Sequence, residues 1–203
     1  MFYYRSWFQI RNMGHSKIRM LEGSLDDWKA AGGPMEEGPK KAVVASELDT
    51  SKASSYVASD AQQMVSMDQV KAVLEDGSKT VVDVRSRDRF TGAVEEPRPG
   101  LRRGHMPGAI NLPFTELLNP DNVVTLLSPA DVEARLEEAG ISVQQEKDIV
   151  ATCGSGVTAC ALVAALQYCG RDPSKTFVFD GSWIEWGPED AGTPVETTAD
   201  KKD

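Results

Sequence analysis

Two hydrophobic periodicities alternate along the chain between residues 67 and 188. Short runs rich in β-branched residues predict buried strands at 80–85, 149–152 and 176–179. Between these runs, apolar residues recur every three or four positions, which predicts helices at 67–74, 129–140 and 157–169. Strands that alternate with helices in this way predict one α/β domain with a mainly parallel central sheet flanked by helices.

Capping signals locate the starts of two of these helices. Ser66 precedes the first helix and is a suitable N-cap, because its hydroxyl can accept a free backbone N–H of the first turn. Ser128, followed by Pro129, begins the second helix, which ends at Gly140. These boundaries agree with the hydrophobic periodicity.

The stretch IVATCGSGVTACALVAALQYCG joins a strand to a helix through a tight loop. It places the thiol of Cys153 where the chain turns, and Gly154 and Gly156 are free to take backbone angles that point successive N–H groups inward. A helix that begins near Val157 or Thr158 adds unpaired N–H groups and a positive dipole end. Such a cradle favours a reactive thiolate, a persulfide or an oxyanion. The alternative is a buried cysteine whose neighbouring glycines serve only the turn.

Composition narrows the set of partners. The 203 residues carry a net charge of −9, which argues against nucleic acid or an anionic membrane surface as the main partner. No apolar run approaches the length of a transmembrane helix. The three cysteines are too clustered and irregular for a disulfide framework, which favours a reducing compartment. Cys160 and Cys169 fall within the apolar helix and are predicted to be core or helix-surface thiols.

The segment CGSGVTA, preceded by VAT and followed downstream by FDGSWIEW, resembles the active-site region of the tandem-domain rhodanese family, and within it the branch of 3-mercaptopyruvate sulfurtransferases. The resemblance implies a rhodanese-like fold and an enzyme in which Cys153 holds a sulfur atom as a persulfide and passes it to a thiol or to cyanide. Thiosulfate sulfurtransferases usually carry two basic residues after the cysteine, whereas this chain has Gly154 and Ser155. A phosphatase of the Cys-x5-Arg type is not supported, because Ala159 stands where that arginine would bind phosphate.

Two arginines are implied as donor-binding residues by the same resemblance. Arg89 in DRFTG and Arg98 in EPR match arginines that contact the donor, although Asp88 replaces the usual glycine. A guanidinium orients a carboxylate through two parallel hydrogen bonds, as an anionic keto acid requires. The alternative is that both are solvated loop arginines paired with Glu95 and Glu96.

The loop after Cys153 completes the implied site. The resemblance implies that backbone amides of this loop hold the persulfide and that Ser155 moves a proton within the site. The substrate-binding residues of the loop are then Gly154, Gly156, Val157 and Thr158. Neither a metal nor a cofactor is implied, and the acceptor would be a thiol such as thioredoxin or glutathione.

Other polar residues are assigned structural roles. Asp83 and Arg85 are predicted to pair and to tie down loops. His105 lies in a GHMPGA stretch similar to those of rhodanese-like domains, and it is expected to brace the fold rather than act as a general base. Arg102 and Arg103 have no counterpart in the resemblance and are predicted to be surface charges.

An internal repeat explains the N-terminal part of the chain. Residues 16–28 align without a gap on residues 174–186, with serine, lysine, glycine, serine and tryptophan coinciding. Residues 1–33 are therefore interpreted as a remnant, the last helix, strand and helix, of a first rhodanese domain, and a chance match is the alternative. The aromatic and basic opening MFYYRSWFQIRNMG is only weakly similar to a mitochondrial presequence, so a cytoplasmic and a mitochondrial location both stay open.

Composition sets the other boundaries. Residues 34–66 are predicted to be a linker, residues 67–190 the catalytic domain and residues 191–203 a disordered tail. The apolar face of the helix from Phe2 to Trp7 is expected to be exposed, which would allow self-association. Two alternatives to mercaptopyruvate sulfur transfer stay open, namely a thiosulfate donor and a truncated module with a binding or regulatory role and little turnover.

Overall fold

The computed structural model describes residues 2–39, 51, 57–59 and 63–198. Most of the predicted linker, at 40–50, 52–56 and 60–62, lies outside the described residues, as does the end of the predicted tail at 199–203. In the described part, strands and helices alternate after residue 63, as the hydrophobic pattern predicts.

A parallel sheet forms the centre of the fold. In chain order, the strands of the described residues are β1 (Met64–Val65), β2 (Lys79–Asp83), β3 (Ile110–Asn111), β4 (Leu118–Asn119), β5 (Asn122–Leu126), β6 (Asp148–Thr152) and β7 (Thr176–Phe179). Five of them form one sheet in the order β1-β7-β6-β2-β3, in which all neighbouring strands are parallel. β4 and β5 form a separate antiparallel pair. The predicted α/β fold with a mainly parallel sheet is therefore confirmed.

Helices surround this sheet. In chain order they are α1 (Phe2–Asn12), α2 (Leu25–Ala30), α3 (Met67–Asp76), α4 (Arg87–Thr91), α5 (Pro129–Glu138), α6 (Ala159–Tyr168) and α7 (Ser182–Trp186). α6 contacts β6 and β7 of the sheet and also α1, so most of its surface is buried and its sequence has no polar face. None of the helices in the described part of the chain has the length and apolar character that a bilayer-spanning helix needs.

Both predicted helix starts are confirmed by their caps. The hydroxyl of Ser66 accepts the N–H of Gln69 at 3.3 Å, and the Gln69 side chain accepts the N–H of Ser66 at 2.8 Å. The hydroxyl of Ser128 likewise accepts the N–H of Asp131 at 3.3 Å. Each cap satisfies a backbone donor that the first helical turn leaves unpaired.

The N-terminal segment forms two of its predicted elements, α1 and α2, but not the strand predicted between them. A strand must pair its backbone N–H and C=O groups with a neighbour, and no strand of the described residues lies beside this segment to pair with it. Because β1 lies within the predicted linker, the sheet also begins before residue 67, where the periodicity places the start of the domain.

α1 turns its aromatic residues toward the core. Tyr4, Trp7 and Phe8 are buried in the cluster around α6, whereas Phe2 is 75% exposed. The predicted exposed apolar face is therefore wrong for most of this helix, while self-association of the N-terminal segment stays a prediction. The physical reason is that α6 is apolar on all sides and offers α1 a face on which to pack.

Arg102 binds the C-terminal segment to the domain through hydrogen bonds. Its guanidinium donates to the carbonyl oxygens of Thr193 at 2.8 Å, and of Trp186 and Gly187 at 3.1 Å each. The surface role predicted for Arg102 is therefore wrong. A single guanidinium has five N–H donors in a fixed fork, which suits it to bind several carbonyl groups at once.

Residues 192–198 pack on the domain instead of beginning a disordered tail. The indole N–H of Trp186 donates to the carbonyl of Pro194 at 2.9 Å. His105 and Glu196 exchange two backbone hydrogen bonds of 2.9 Å each. The disorder predicted from residue 191 is therefore wrong as far as residue 198, because distant residues supply the partners that the polar composition of this segment does not reveal.

Candidate active site

The loop that follows β6 carries the candidate nucleophile. β6 is the middle strand of the sheet, and Cys153 comes directly after it, at the carboxyl end where open parallel sheets bind their ligands. Cys153 is buried, at 2% exposure. Residues 153–158, from this cysteine to the start of α6, are called the cysteine loop below.

Backbone N–H groups are the main polar groups of the cysteine loop. The N–H of Ser155 donates to Cys153 Sγ at 3.4 Å. The N–H groups of Gly154, Val157 and Thr158 have no hydrogen-bond partner among the described residues. Thr158 precedes α6 without a side-chain cap, so the helix adds its positive dipole end to the loop. The cysteine loop is therefore suited to stabilise negative charge on the sulfur or on an atom bound to it.

Ser182, the first residue of α7, holds the cysteine loop in place. Its hydroxyl oxygen accepts the N–H groups of Cys153 at 3.1 Å and Gly156 at 2.9 Å, and its O–H donates to the carbonyl of Phe179 at 2.8 Å. Ser182 is fully buried and has a φ of +50°, in the left-handed region that residues other than glycine rarely adopt. Two loop amides are thus satisfied inside the protein, which leaves the others for a ligand.

The first turn of α7 also binds carbonyl groups of the cysteine loop. The N–H of Trp183 donates to the carbonyl of Cys153 at 3.0 Å, and the N–H of Ile184 donates to that of Gly154 at 3.1 Å. Carbonyl oxygens would repel an anion, so their attachment to α7 favours the binding of negative charge by the loop amides. Sequence reasoning missed the part played by Ser182, although a small polar residue between the last strand and the last helix is a usable signal.

Both glycines of the cysteine loop have close neighbours. Gly156 has a φ of +73°, and a Cβ there would lie 2.6 Å from Asp180 Oδ1 and 2.7 Å from the Asp180 carbonyl oxygen. A Cβ at Gly154 would lie 3.1 Å from Nη2 of Arg89. The structure therefore brings one of the two predicted donor-binding arginines, Arg89, against the cysteine loop.

A buried carboxylate orients Arg89. Glu96 accepts hydrogen bonds from Arg89 Nε at 3.1 Å and Nη2 at 2.5 Å, and from Arg85 Nη1 at 2.9 Å. The Glu96 side chain is 2% exposed and that of Arg89 is 24% exposed. The ion pair with Glu96, which was the alternative to donor binding by Arg89, is thus present. Arg89 Nη1, however, has no hydrogen bond to the described residues. Glu96 was predicted only as a loop partner, and its burial could not be foreseen from its polar surroundings.

Arg98 lies apart from this network. It is exposed, and it makes no hydrogen bond or ion pair with the described part of the chain. The structure therefore does not place Arg98 among the contacts around Cys153. Arg103 lies on the surface, as predicted, and its Nε is 3.6 Å from Glu95 Oε1. Within the described ranges, no group of three His, Cys, Asp or Glu side chains is arranged to bind a metal ion.

Buried polar pairs brace the elements around the site, as predicted. Arg85 Nε donates to both carboxylate oxygens of Asp83, at 3.1 and 2.9 Å, and Arg85 Cζ lies 4.1 Å from the centroid of the Trp183 ring. His105 Nδ1 donates to the carbonyl of Phe90 at 2.7 Å, and the two rings stack with their centroids 3.8 Å apart. Because Phe90 lies in α4, His105 steadies the helix that carries the predicted donor-binding arginine.

The other two cysteines are held as thiols. Burial raises the pKa of Cys160 to about 12, although the nearby guanidinium of Arg5 opposes the shift. Burial also raises the pKa of Cys169 to about 11. Cys160 is fully buried and its Sγ donates to the carbonyl of Gly156 at 3.3 Å. Neither residue competes with Cys153 as a nucleophile near neutral pH, because the thiolate is the reactive form.

Comparison with known proteins relates this site to one family. The family model described as "Rhodanese-like domain" matches residues 66–189. The chain is 34% identical over 206 residues to "Thiosulfate/3-mercaptopyruvate sulfurtransferase 1, mitochondrial" of Arabidopsis thaliana, an alignment that covers 95% of this chain and 52% of the relative. It is 35% identical over 192 residues to 3-mercaptopyruvate sulfurtransferase of Escherichia coli strain K12, covering 95% of this chain and 63% of the relative.

A solved structure gives the same relationship. The crystal structure of SseA from Escherichia coli, whose title refers to the "Rhodanese" fold of 3-mercaptopyruvate sulfotransferases, superposes with a TM-score of 0.68 and 29% identity. The superposition covers 89% of this chain and 62% of SseA. The chain therefore spans between half and two thirds of the length of these relatives.

Proposed function

The chain belongs to the rhodanese-like domain family, and from that premise we propose that it is a sulfurtransferase that moves a sulfane sulfur from 3-mercaptopyruvate to a thiol acceptor. The proposal rests on the structure of the cysteine loop. Cys153 lies at the carboxyl end of the middle strand, and the N–H groups of Gly154, Val157 and Thr158 next to it have no partner among the described residues.

In the first half-reaction, the thiolate of Cys153 attacks the sulfur of the donor. The S–S bond forms as the carbon–sulfur bond breaks, and the electron pair of that bond passes to carbon as the enolate of pyruvate. The proton of the donor thiol ends on the enolate carbon, which gives pyruvate and a persulfide anion on Cys153. Ser155 is the residue proposed to relay this proton, because its backbone N–H already contacts Cys153 Sγ at 3.4 Å.

In the second half-reaction, the acceptor thiolate attacks the outer sulfur of the persulfide and restores the thiolate of Cys153. The persulfide keeps a negative charge between the two steps, and preorganised N–H groups stabilise such a charge without reorganising. We propose Gly154, Gly156, Val157 and Thr158 as the residues whose backbone forms this cradle. The N–H of Gly156 contributes indirectly, since it is already bound to the hydroxyl of Ser182.

Donor binding is proposed to rest on Arg89 and Arg98. Glu96 occupies one edge of the Arg89 guanidinium, so Nη1 stays available for the carboxylate of the donor. Arg98 has no partner in the described part of the chain and would close on the donor from the exposed loop. Mercaptopyruvate is preferred over thiosulfate in this proposal because Gly154 and Ser155 stand where a second pair of cations would attract the dianion.

Acceptor and compartment are proposals of the same kind. A small thiol such as glutathione, or the dithiol of thioredoxin, supplies the attacking thiolate. One relative carries the word "mitochondrial" in its name, and we propose the mitochondrion or the cytoplasm for this protein, since both keep Cys153 reduced.

The test is mass spectrometry of the purified chain after exposure to mercaptopyruvate, with thiosulfate in parallel. A gain of one sulfur atom, about 32 Da, on the peptide that contains Cys153 is expected from mercaptopyruvate. Cys153→Ser removes the nucleophile, and Cys160→Ala is the matched control that removes a neighbouring thiol. No gain from either donor in folded protein would refute catalysis by this chain and favour a binding module. A gain from thiosulfate alone would identify a thiosulfate sulfurtransferase.

A further inference from the structure

An ion pair connects the N-terminal helix to the end of the last strand. Arg5 of α1 contacts Asp180, the residue that directly follows β7. The Arg5 side chain is 15% exposed and that of Asp180 is 44% exposed, so the pair lies partly inside the protein. Burial lowers the pKa of Arg5, but the ion pair with Asp180 outweighs this effect and raises it above the ordinary value. Arg5 is thus a permanent cation at this point.

Asp180 in turn lies against the cysteine loop. Its Oδ1 would be 2.6 Å from a Cβ at Gly156, its carbonyl oxygen 2.7 Å and its Cα 3.2 Å. Gly156 is the loop residue with a φ of +73°, where only glycine fits without strain. The carboxylate that Arg5 contacts therefore lies against Gly156, the one position of the cysteine loop with a positive φ.

An unpaired carboxylate at this place would oppose the chemistry of the loop. The amides of the loop are arranged for negative charge, and a second negative charge close to them weakens the binding of an anion. Arg5 offsets the charge of Asp180 through the ion pair between the two side chains. Arg5 also lies near the thiol of Cys160 in the first turn of α6, so its guanidinium is close both to Asp180 and to the helix that follows the cysteine loop.

We infer that Arg5 is a positioning residue for the cysteine loop: its ion pair with Asp180 holds that carboxylate against Gly156 and keeps the loop receptive to anions. The inference rests on the proposed function. Its consequence is that α1 belongs to the catalytic unit and does not only cover the core. Packing alone does not require a cation at position 5, because the buried residues Tyr4, Trp7 and Phe8 attach α1 to α6.

The experiment compares Arg5→Gln, Arg5→Lys, Asp180→Asn and the double substitution Arg5→Gln with Asp180→Asn against a matched control, Arg11→Gln. Arg11 is a cation of the same helix, its Cζ lies 5.2 Å from the centroid of the Trp7 ring, and it has no contact with the cysteine loop. Three rates are measured at Cys153 by peptide mass spectrometry: persulfide formation from mercaptopyruvate, alkylation by the neutral reagent iodoacetamide and alkylation by the anionic reagent iodoacetate.

Arg5→Gln is expected to slow persulfide formation about tenfold, because a shifted loop misplaces the thiolate and its amides. It is also expected to slow alkylation by iodoacetate more than alkylation by iodoacetamide, since the uncompensated carboxylate of Asp180 repels the anion. Arg5→Lys is expected to keep most of the rates of persulfide formation and of alkylation by iodoacetate. Asp180→Asn combined with Arg5→Gln is expected to restore most of these rates, because the second substitution removes the uncompensated charge. Arg11→Gln leaves all three rates unchanged. A purely structural loss of packing would not be repaired by the second substitution.

The inference is overturned if Arg5→Gln and Arg11→Gln give the same ratio of iodoacetate to iodoacetamide alkylation. It is equally overturned if Asp180→Asn fails to restore the rates in the Arg5→Gln background. If Arg5→Gln does not fold, Asp180→Asn alone is the test: it leaves the Arg5 cation without its carboxylate and is expected to raise the ratio of iodoacetate to iodoacetamide alkylation, and an unchanged ratio overturns the inference. Alkylation requires no sulfur donor, so a changed ratio in a chain that takes up no sulfur would refute the proposed function and support the role of Arg5.

Discussion

The hydroxyl of Ser182 accepts the backbone N–H of Cys153 at 3.1 Å across 29 positions of the sequence. The same oxygen accepts the N–H of Gly156 at 2.9 Å, so one side chain determines the direction of the amides at two positions of the cysteine loop. The arrangement links the start of α7 to the end of β6. It explains how a flexible glycine-containing segment keeps one conformation around the sulfur.

Ser182→Ala is expected to destabilise the protein by about 2–3 kcal/mol, because two buried N–H groups lose their acceptor. Persulfide formation on Cys153 is expected to slow in parallel, since the loop is no longer held. Urea unfolding measures the first effect and mass spectrometry the second. An alanine variant as stable as the unaltered chain would contradict the bracing role of the hydroxyl.

Replacing Ser182 by glycine separates the effect of losing the hydroxyl from the effect of backbone strain at this position. Glycine adopts the φ of +50° without strain, whereas alanine does not. Ser182→Gly is therefore expected to be about 1 kcal/mol more stable than Ser182→Ala while losing the same hydrogen bonds. Equal stability of the two variants would show that the backbone is unstrained at this residue.

Gly156→Ala is expected to abolish persulfide formation and to destabilise the fold, because its Cβ would lie 2.6 Å from Asp180 Oδ1. Gly140→Ala is the matched control, since Gly140 has a φ of +76° with nothing within 4 Å of the added atom. Gly140→Ala is expected to lose only the stability that backbone strain costs, about 1 kcal/mol. Comparable losses of stability in the two variants would mean that the contact with Asp180 relaxes easily.

Arg89→Lys is expected to raise the KM for mercaptopyruvate about tenfold with a smaller change in kcat, because lysine has no planar fork for a carboxylate. Steady-state kinetics measures this. Arg103→Lys, in the loop that follows α4 and 3.6 Å from the exposed Glu95, is the control and is expected to leave KM unchanged. An unchanged KM for Arg89→Lys would assign Arg89 to the ion pair with Glu96 alone.

The buried thiol of Cys160 is expected to make stability fall at alkaline pH. Burial raises the pKa of Cys160 from 9.0 to about 12, so between these values the folded protein holds a proton that the unfolded chain has lost. The contribution of the Cys160 thiol to the free energy of unfolding is complete below pH 9. It declines as pH rises toward 12, by about 1.4 kcal/mol per pH unit. Urea unfolding over this range should show a shallower decline for Cys160→Ala. Equal slopes would contradict the burial of an ionisable thiol.

The strands and helices that follow residue 63 were largely predictable, because β-branched runs and amphipathic periods report burial directly. The strand predicted between α1 and α2 failed for a different reason. Its sequence aligns with β7, but no strand among the described residues pairs with it. Pairing depends on which neighbour is present, and a local pattern does not carry that information.

The sequence by itself determined the parallel α/β fold, the position of Cys153 directly after a strand and the turn made by the neighbouring glycines, because each depends on residues that are adjacent in the chain. Only the tertiary structure decided that Ser182 binds the loop amides, that Glu96 orients Arg89, and that Arg102 holds the C-terminal segment. These contacts join the ends of different strands and helices. They follow from how the elements pack, since a polar side chain has the same local sequence pattern whether it meets water or a buried partner.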